Sequence, residues 1–213
     1  MQITAGLIVF TRYPQPGQTK TRLIPHLGAE GAAALQRQLT EHTLNTVQAW
    51  IAQQTQPDSI DVVVCFTGCD RPMMQTWLGE QWTYKAQGTG DLGDRLLRAF
   101  QDAASERDRV IAIGIDCPGI TPPILHQAVA ALQTHDLVLG PAVDGGYYLI
   151  GMKQVIPDLF TGIAWSTDQV LAQTMAIAQS LNLSIAMLEP LADIDYPEDL
   201  AVWYQICAEI PRP

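Results

Sequence analysis

Short apolar runs alternate with longer helical patterns from one end of the chain to the other, and this alternation constrains the fold more than any single residue does. Ala5–Thr11, Asp61–Thr67, Arg109–Gly114 and Asp136–Gly140 read as buried strands, apolar on both faces. Gly146–Lys153 and Leu183–Leu188 read as two more, and Thr83–Ala86 as a short edge strand. Between them, Glu30–Gln54 repeats Ala, Leu and Val at three- and four-residue spacing, the mark of a helix with an apolar stripe. Further helices are expected over Arg71–Leu78, Asp94–Ser105, Pro122–Thr134, Thr167–Leu181 and Pro197–Cys207. A strand with no polar face needs cover on both sides. Strands alternating with helices of this length therefore predict an α/β domain built on a mainly parallel sheet. The 213 residues suit one such domain, spanning 1–213. Ligands of these sheets sit beyond the strand carboxyl ends, so the candidate chemistry is sought there.

Charge narrows the choice of partner. A formal net charge of -10 repels nucleic-acid phosphates and anionic membrane surfaces, so neither is expected to bind. Cys65, Cys69, Cys117 and Cys207 lack zinc-site spacing and read as reduced thiols. The apolar run Gly6–Phe10 is too short for a signal peptide and has no basic flank, and no run approaches a membrane span. A cytoplasmic location is expected.

Four strand ends carry unusual residues. After the first strand, residues 1–29 hold no Asp or Glu but do hold Arg12, Lys20 and Arg22, a basic island in an acidic chain. Pro14, Pro16 and Gly17 stiffen the loop. Three cations on a pre-shaped loop suit a di- or triphosphate, while a solvated surface loop is the plainer alternative. The loop lacks the full Walker pattern. Asp116, between a buried strand and Pro118-Gly119, suits a hard cation or an Asx turn. Asp193 and Asp195 share a face if extended, and Asp195 suits either a metal or the cap of the last helix. Magnesium commonly takes one or two protein carboxylates and fills its shell with phosphate and water, a count that Asp116 and Asp195 satisfy, with Asp193 a candidate in place of Asp195. Without the ion these carboxylates should repel, so magnesium should stabilise the fold.

The remaining motifs are weaker. Asp144-Gly145-Gly146 allows backbone to approach a ligand, with Asp144 contacting sugar hydroxyls or acting as a base; a tight hairpin turn fits nearly as well. Gly88–Arg95 is a Gly-rich stretch before a helix, with Asp94 as its expected N-cap. Ser166 to Gln169 fits a capping box, preferred here over an acceptor-binding role, and Trp165 reads as core. No histidine is assigned a catalytic role.

Taken together and in order, FTRYPQPGQTKTRL, GTGDLGDRL, GIDCPGI, LGPAVDGGYYLIG, WSTDQV and DIDYPEDL resemble a bacterial GT-A-type family, the radical-SAM/selenodomain-associated transferases, also called arsenosugar-biosynthesis glycosyltransferases. The resemblance covers nearly the whole chain. It implies a single GT-A domain, the Rossmann-like nucleotide-diphospho-sugar transferase fold, a three-layer α/β sandwich. The Lys20-Thr21-Arg22-Leu23 string, Asp116-Cys117-Pro118, and Asp195 with Pro197-Glu198-Asp199-Leu200 also resemble small nucleotidyltransferases such as phospholactate guanylyltransferase. The expected activity is metal-dependent transfer, with Mg2+ or Mn2+, from a nucleotide or nucleotide-sugar donor to a small-molecule acceptor. Lys20, Arg22 and Asp144 are the expected catalytic residues. Thr11, Arg12, Lys20, Arg22, Gly90, Asp91, Gly93, Arg95, Gly145 and Gly146 are the expected donor-binding residues. Glycosyl transfer leads; nucleotidyl transfer with release of pyrophosphate, and a nucleotide-binding module without turnover, stay open.

Overall fold

A computed structural model describes residues 5–54, 60–105 and 107–209. Seven strands form one sheet: β1 (Ala5–Arg12), β2 (Ile60–Thr67), β3 (Thr83–Ala86), β4 (Arg109–Ile113), β5 (Leu137–Pro141), β6 (Tyr147–Met152) and β7 (Ile185–Met187). Their order is β3-β2-β1-β4-β6-β5-β7. Only β6 runs against its neighbours β4 and β5; the other pairings are parallel. The expected mainly parallel sheet is present, with Thr83–Ala86 at its edge.

Side chains alternate across the strands and divide the core in two. Leu7 and Val9, Val64 and Phe66, and Ile111 and Ile113 face one helical layer. That layer is built from α1 (Ile24–Ala52), α2 (Arg71–Leu78), α4 (Pro122–Ala131) and α6 (Leu200–Glu209). Ile8, Cys65, Val110, Ala112 and Ile150 face the other layer, where α3 (Leu92–Ala104) and α5 (Val170–Ser180) supply Leu96, Phe100 and Ala178. Both sheet faces are buried, which explains strands that read as continuous apolar runs.

The local signals were less reliable than the periodicity. The long helix starts upstream of Glu30, but Gly28 breaks it at φ 72, so its regular part begins close to the expected position. Asp94 does not cap α3: Asp91 is the N-cap and accepts from the Asp94 N–H, while the Asp94 carboxylate accepts from the Asp91 N–H. Asp94 is thus the third helical residue of a reciprocal capping box. The box expected at Ser166 does not form. Ser166 lies at φ 64, α5 starts at Val170, and no side chain caps it. Asp195 does not cap the last helix either, since Asp199 accepts from the Asp195 and Tyr196 N–H groups. The Asp144 turn is a hairpin after all: it joins antiparallel β5 and β6, and Asp144 accepts from the Gly146 N–H at 2.8 Å.

After β7 the chain continues along the edge of β5, where Ala142 bridges Leu191. It then crosses to the end of β4, where the Ile194 N–H donates to Asp116 O at 2.8 Å. This crossing brings the Asp193–Asp195 segment to Asp116. Among the described residues no helix is long and apolar enough to cross a membrane.

Candidate functional site

The parallel strands end along one rim, and two adjoining clefts open there. The first, of about 380 Å³, lies beyond β1, β2, β3 and β4. Its lining includes Arg12, Lys20, Arg22 and Arg95, with Asp116 and Asp195 on its far side. The second, of about 660 Å³, lies beyond β4, β5 and β7 at the start of β6, and is lined by Asp144, Asp168, Asp193, Tyr147, Trp165 and Tyr196 among others. Arg22, Asp116 and Asp195 border both.

The loop after β1 is shaped from within. Tyr13 extends the pairing by donating to Thr67 O, and Arg12 Nη1 folds back to Gln18 O at 2.9 Å. Below it, buried Thr11 shares a hydroxyl bond of 2.8 Å with Thr40, and Gln36 Nε2 donates to Arg12 O. The Thr11 hydroxyl is therefore engaged with α1, although the residue lines the first cleft. The loop ends at Lys20, a non-glycine residue held left-handed at φ 46 and ψ 45. Such a conformation costs about 1 kcal/mol and persists only when other contacts impose it.

Those contacts are ionic. Lys20 Nζ lies 2.5 Å from Asp116 Oδ1, 3.1 Å from Asp195 Oδ1 and 2.5 Å from Ile194 O. Its side chain is 5% exposed, against 52% for Asp116 and 29% for Asp195. Burial alone would pull the ammonium down; the two carboxylates, Asp116 ahead of Asp195, lift it above the ordinary lysine value. Arg22 completes the cluster, with Nη1 3.0 Å from Asp195 Oδ2 and its guanidinium 5.1 Å over the Tyr196 ring.

This geometry corrects the expectation of mutual repulsion between Asp116 and Asp195. The two are brought together, as expected, but an ammonium stands between them. A divalent ion would have to displace Lys20 Nζ to reach both carboxylates, because the ammonium holds the shared position. Among the described residues no group of three or more Asp, Glu, His or Cys is arranged to hold a metal. Asp193 turns instead to the second cleft, where burial and then the nearby Asp144 carboxylate push its carboxyl above the usual range.

The expected glycines divide by position. Gly146 lines the second cleft. Gly145, at φ 90, packs against the turn before α5 so closely that a Cβ would meet Asp168 O at 2.3 Å. Gly93 sits where a Cβ would meet Phe160 O at 2.3 Å and the Trp165 indole at 2.6 Å. Gly90, Asp91 and Gly93 line neither cleft, whereas Arg95 does. Arg95 is oriented by bonds from Nη1 to Gln87 Oε1 at 3.1 Å and from Nε to Asp91 O.

Gln87 escaped the sequence reading. It is buried, and its Nε2 donates to both Thr11 O and Cys65 O at 3.0 Å, tying the ends of β1 and β2 to Arg95. Its position immediately after a strand was the available signal. Tyr147 and Tyr196 were also missed, Asp168 was read within a helix cap in preference to an acceptor site, and Trp165, read as core, is a half-buried wall of the second cleft. Tyr147 and Trp165 meet edge to face, with ring centroids 6.4 Å apart. His42 supports the site from behind, with Nε2 2.9 Å from Pro118 O and its ring against Trp203.

Residues 50–167 match the family described as "Uncharacterized protein conserved in bacteria", DUF2064. No curated protein matches the chain. Among solved structures, one from Desulfovibrio desulfuricans G20, described as a presumed nucleotide-diphospho-sugar transferase, is 32% identical with a TM-score of 0.87, over 97% of this chain and 88% of that one. A 4-diphosphocytidyl-2C-methyl-D-erythritol synthase from Anaerococcus prevotii DSM 20548 shares the fold at 9% identity and TM-score 0.65, over 98% and 97% of the chains. A CMP:2-keto-3-deoxy-manno-octonic acid synthetase, complexed with CTP, does so at 12% and 0.58, over 97% and 99%.

Proposed function

We propose, from the premise that this chain belongs to the bacterial family DUF2064, that it is a transferase whose first cleft binds the phosphates of a nucleotide-activated donor, with glycosyl transfer from a nucleoside-diphosphate sugar as its reaction. The observation that carries this reading is Lys20. A buried ammonium at the end of the loop after β1 is flanked by Arg12, Arg22 and Arg95 in one cleft at the strand carboxyl ends. Guanidinium forks and a lysine point charge are the usual partners of phosphate oxygens. Phosphate charge grows on the leaving group as a nucleoside diphosphate departs. Cations already positioned there stabilise that charge without reorganising. Lys20 and Arg22 are the groups placed to do so, and Arg12 and Arg95 hold the donor. Asp144, on the second cleft, is the candidate to contact the sugar or accept a proton from the acceptor hydroxyl. The likeness to the Desulfovibrio protein supports the sugar-nucleotide reading.

Nucleotidyl transfer is the second reading, favoured by the Lys20-Thr21-Arg22-Leu23 loop, whose cations would meet departing pyrophosphate equally well. Magnesium or manganese enters either reading as a competitor of Lys20 for Asp116 and Asp195. The deciding experiment offers the purified chain nucleoside-diphosphate sugars and nucleoside triphosphates with a mixed acceptor pool. Glycosyl transfer predicts nucleoside diphosphate and a sugar adduct; pyrophosphate release overturns it in favour of the second reading. A donor that binds without either product leaves only the nucleotide-binding module.

A further inference from the structure

The charges around the second cleft do not balance. Lys20 and Arg22 pair with Asp116 and Asp195, two cations for two carboxylates. Asp144, Asp168 and Asp193 also line the cleft, and among the described residues no cation is paired with any of them. Asp144 accepts from the Gly146 N–H, and Asp168 from Gln169 Nε2 at 3.0 Å, so each is held in place by a neutral donor. An ionised carboxylate only accepts hydrogen bonds, so three such groups around one volume select for donors. Tyr147 and Trp165 give the same cleft flat, half-buried walls. At about 660 Å³ it falls within the range of small-molecule sites.

We propose that the second cleft takes a polyhydroxylated, uncharged moiety, a sugar ring or similar polyol, and rejects its phosphorylated form. Hydroxyls donate to Asp144, Asp168 and Asp193, and the C–H faces of the ring lie against Trp165 and Tyr147. The proposal rests on the first cleft being the nucleotide site, because Arg22, Asp116 and Asp195 separate the two and place the polyol beside the donor phosphates. It also favours glycosyl transfer over delivery of a nucleotide to a phosphorylated acceptor, since a second phosphate has no unpaired cation to meet.

The test uses the full chain saturated with a nucleoside diphosphate, so that a phosphorylated probe cannot enter the basic cleft. Thermal shift first establishes that the nucleotide binds; failure at that step removes the reading of the first cleft and the proposal with it. Glucose, glucose 6-phosphate and glucosamine are then compared as probes by saturation-transfer NMR. One like-charge contact in water weakens binding about fivefold, so a phosphate facing three unpaired carboxylates should bind at least about tenfold more weakly than glucose. Asp168→Asn should narrow that ratio severalfold and leave nucleotide affinity unchanged. With the nucleotide bound, equal or tighter binding of glucose 6-phosphate overturns the proposal alone. So does binding of none of the probes, and so does a tenfold preference for glucosamine, which would make the site a cation site.

Discussion

Replacing Lys20 by Met removes one charge and keeps most of the volume, which isolates the ammonium as the clasp of the site. Nζ makes three contacts, at 2.5 Å to Asp116, 3.1 Å to Asp195 and 2.5 Å to Ile194 O. Breaking a buried ion pair from one side costs about 3–5 kcal/mol. That figure is too large here, because Asp116 is 52% exposed and rehydrates, and Arg22 stays on Asp195. A loss of about 2 kcal/mol is expected, in line with hydrogen bonds to charged groups. For a chain of this length that lowers Tm by about 4–8 °C. The carboxylates, freed of the ammonium, then repel each other and become open to a divalent ion. Magnesium should therefore stabilise K20M more than the parent in the absence of nucleotide, and the difference should vanish in K20M/D195N. The sign with pH follows from the raised lysine value: the ammonium's contribution is fully present below the unfolded pKa of about 10.4 and is lost as pH rises through the folded one. The gap between parent and K20M should hold through neutral pH and close only in strong alkali. Calorimetry with and without magnesium measures all of this. A K20M protein within about 0.5 kcal/mol of the parent, with the same magnesium response, would refute the clasp.

Gly93→Ala should cost about 1–3 kcal/mol in urea denaturation, because the added methyl meets Phe160 O and the Trp165 indole; a neutral effect would mean that α3 can move away from that turn. Gln87→Leu takes one donor from Thr11 O and from Cys65 O and leaves Arg95 held by Asp91 O alone, so about 1–3 kcal/mol of stability and part of the nucleotide affinity should go together. Unchanged affinity would remove Arg95 from the donor site. Burial pushes the Cys65 thiol up to about 12, whereas the unfolded thiol ionises near 8.5. The unfolded state then holds fewer protons between those values, so stability should fall from about pH 8.5 to 12, and Cys65→Ala should flatten that slope. In the folded protein at pH 8, exposed Cys207 should react with a thiol reagent well before buried Cys65 and Cys117.

The sheet was legible because burial on both faces leaves its record in the central strands: Ile8 and Val9 face opposite helical layers, so both must be apolar. The helix starts were legible where a proline marks the first turn, as at Arg71 and Pro122, and not where they rest on a side-chain cap, because caps depend on backbone geometry that composition does not encode. Asp91 and Asp94 are the same residue type three positions apart, and either suits a cap; only the turn at Gly90, with φ 102, puts Asp91 in the extended conformation an N-cap needs. The rim residues Arg12, Lys20, Arg22, Asp116, Asp144 and Asp195 were legible as charged or polar groups following apolar runs. Gln87 and Asp168 were not, because Gln87 falls in no motif and Asp168 reads as part of a helix cap, and their importance comes from strands and loops far apart in sequence.

The hardest feature to read was the pairing itself. Sequence places Lys20 in a basic island and Asp116 and Asp195 in acidic loops, which invites separate roles: cations for phosphate, carboxylates for metal. The fold brings these groups, up to 175 residues apart, to one point. Before a ligand arrives, the ammonium is the counter-ion the carboxylates need, and they in turn hold the lysine at its left-handed backbone. A phosphate entering the first cleft offers Lys20 a competing anion, and every shift of the ammonium toward it uncovers negative charge at the border of the second cleft. Nucleotide affinity and the charge seen by the second ligand are therefore coupled through one side chain. Under that coupling, K20M should weaken nucleotide binding and also abolish any effect of bound nucleotide on the glucose site, a reciprocity that linked binding titrations can measure. If nucleotide still alters glucose binding in K20M by the same factor, the coupling runs through the backbone and not through the lysine.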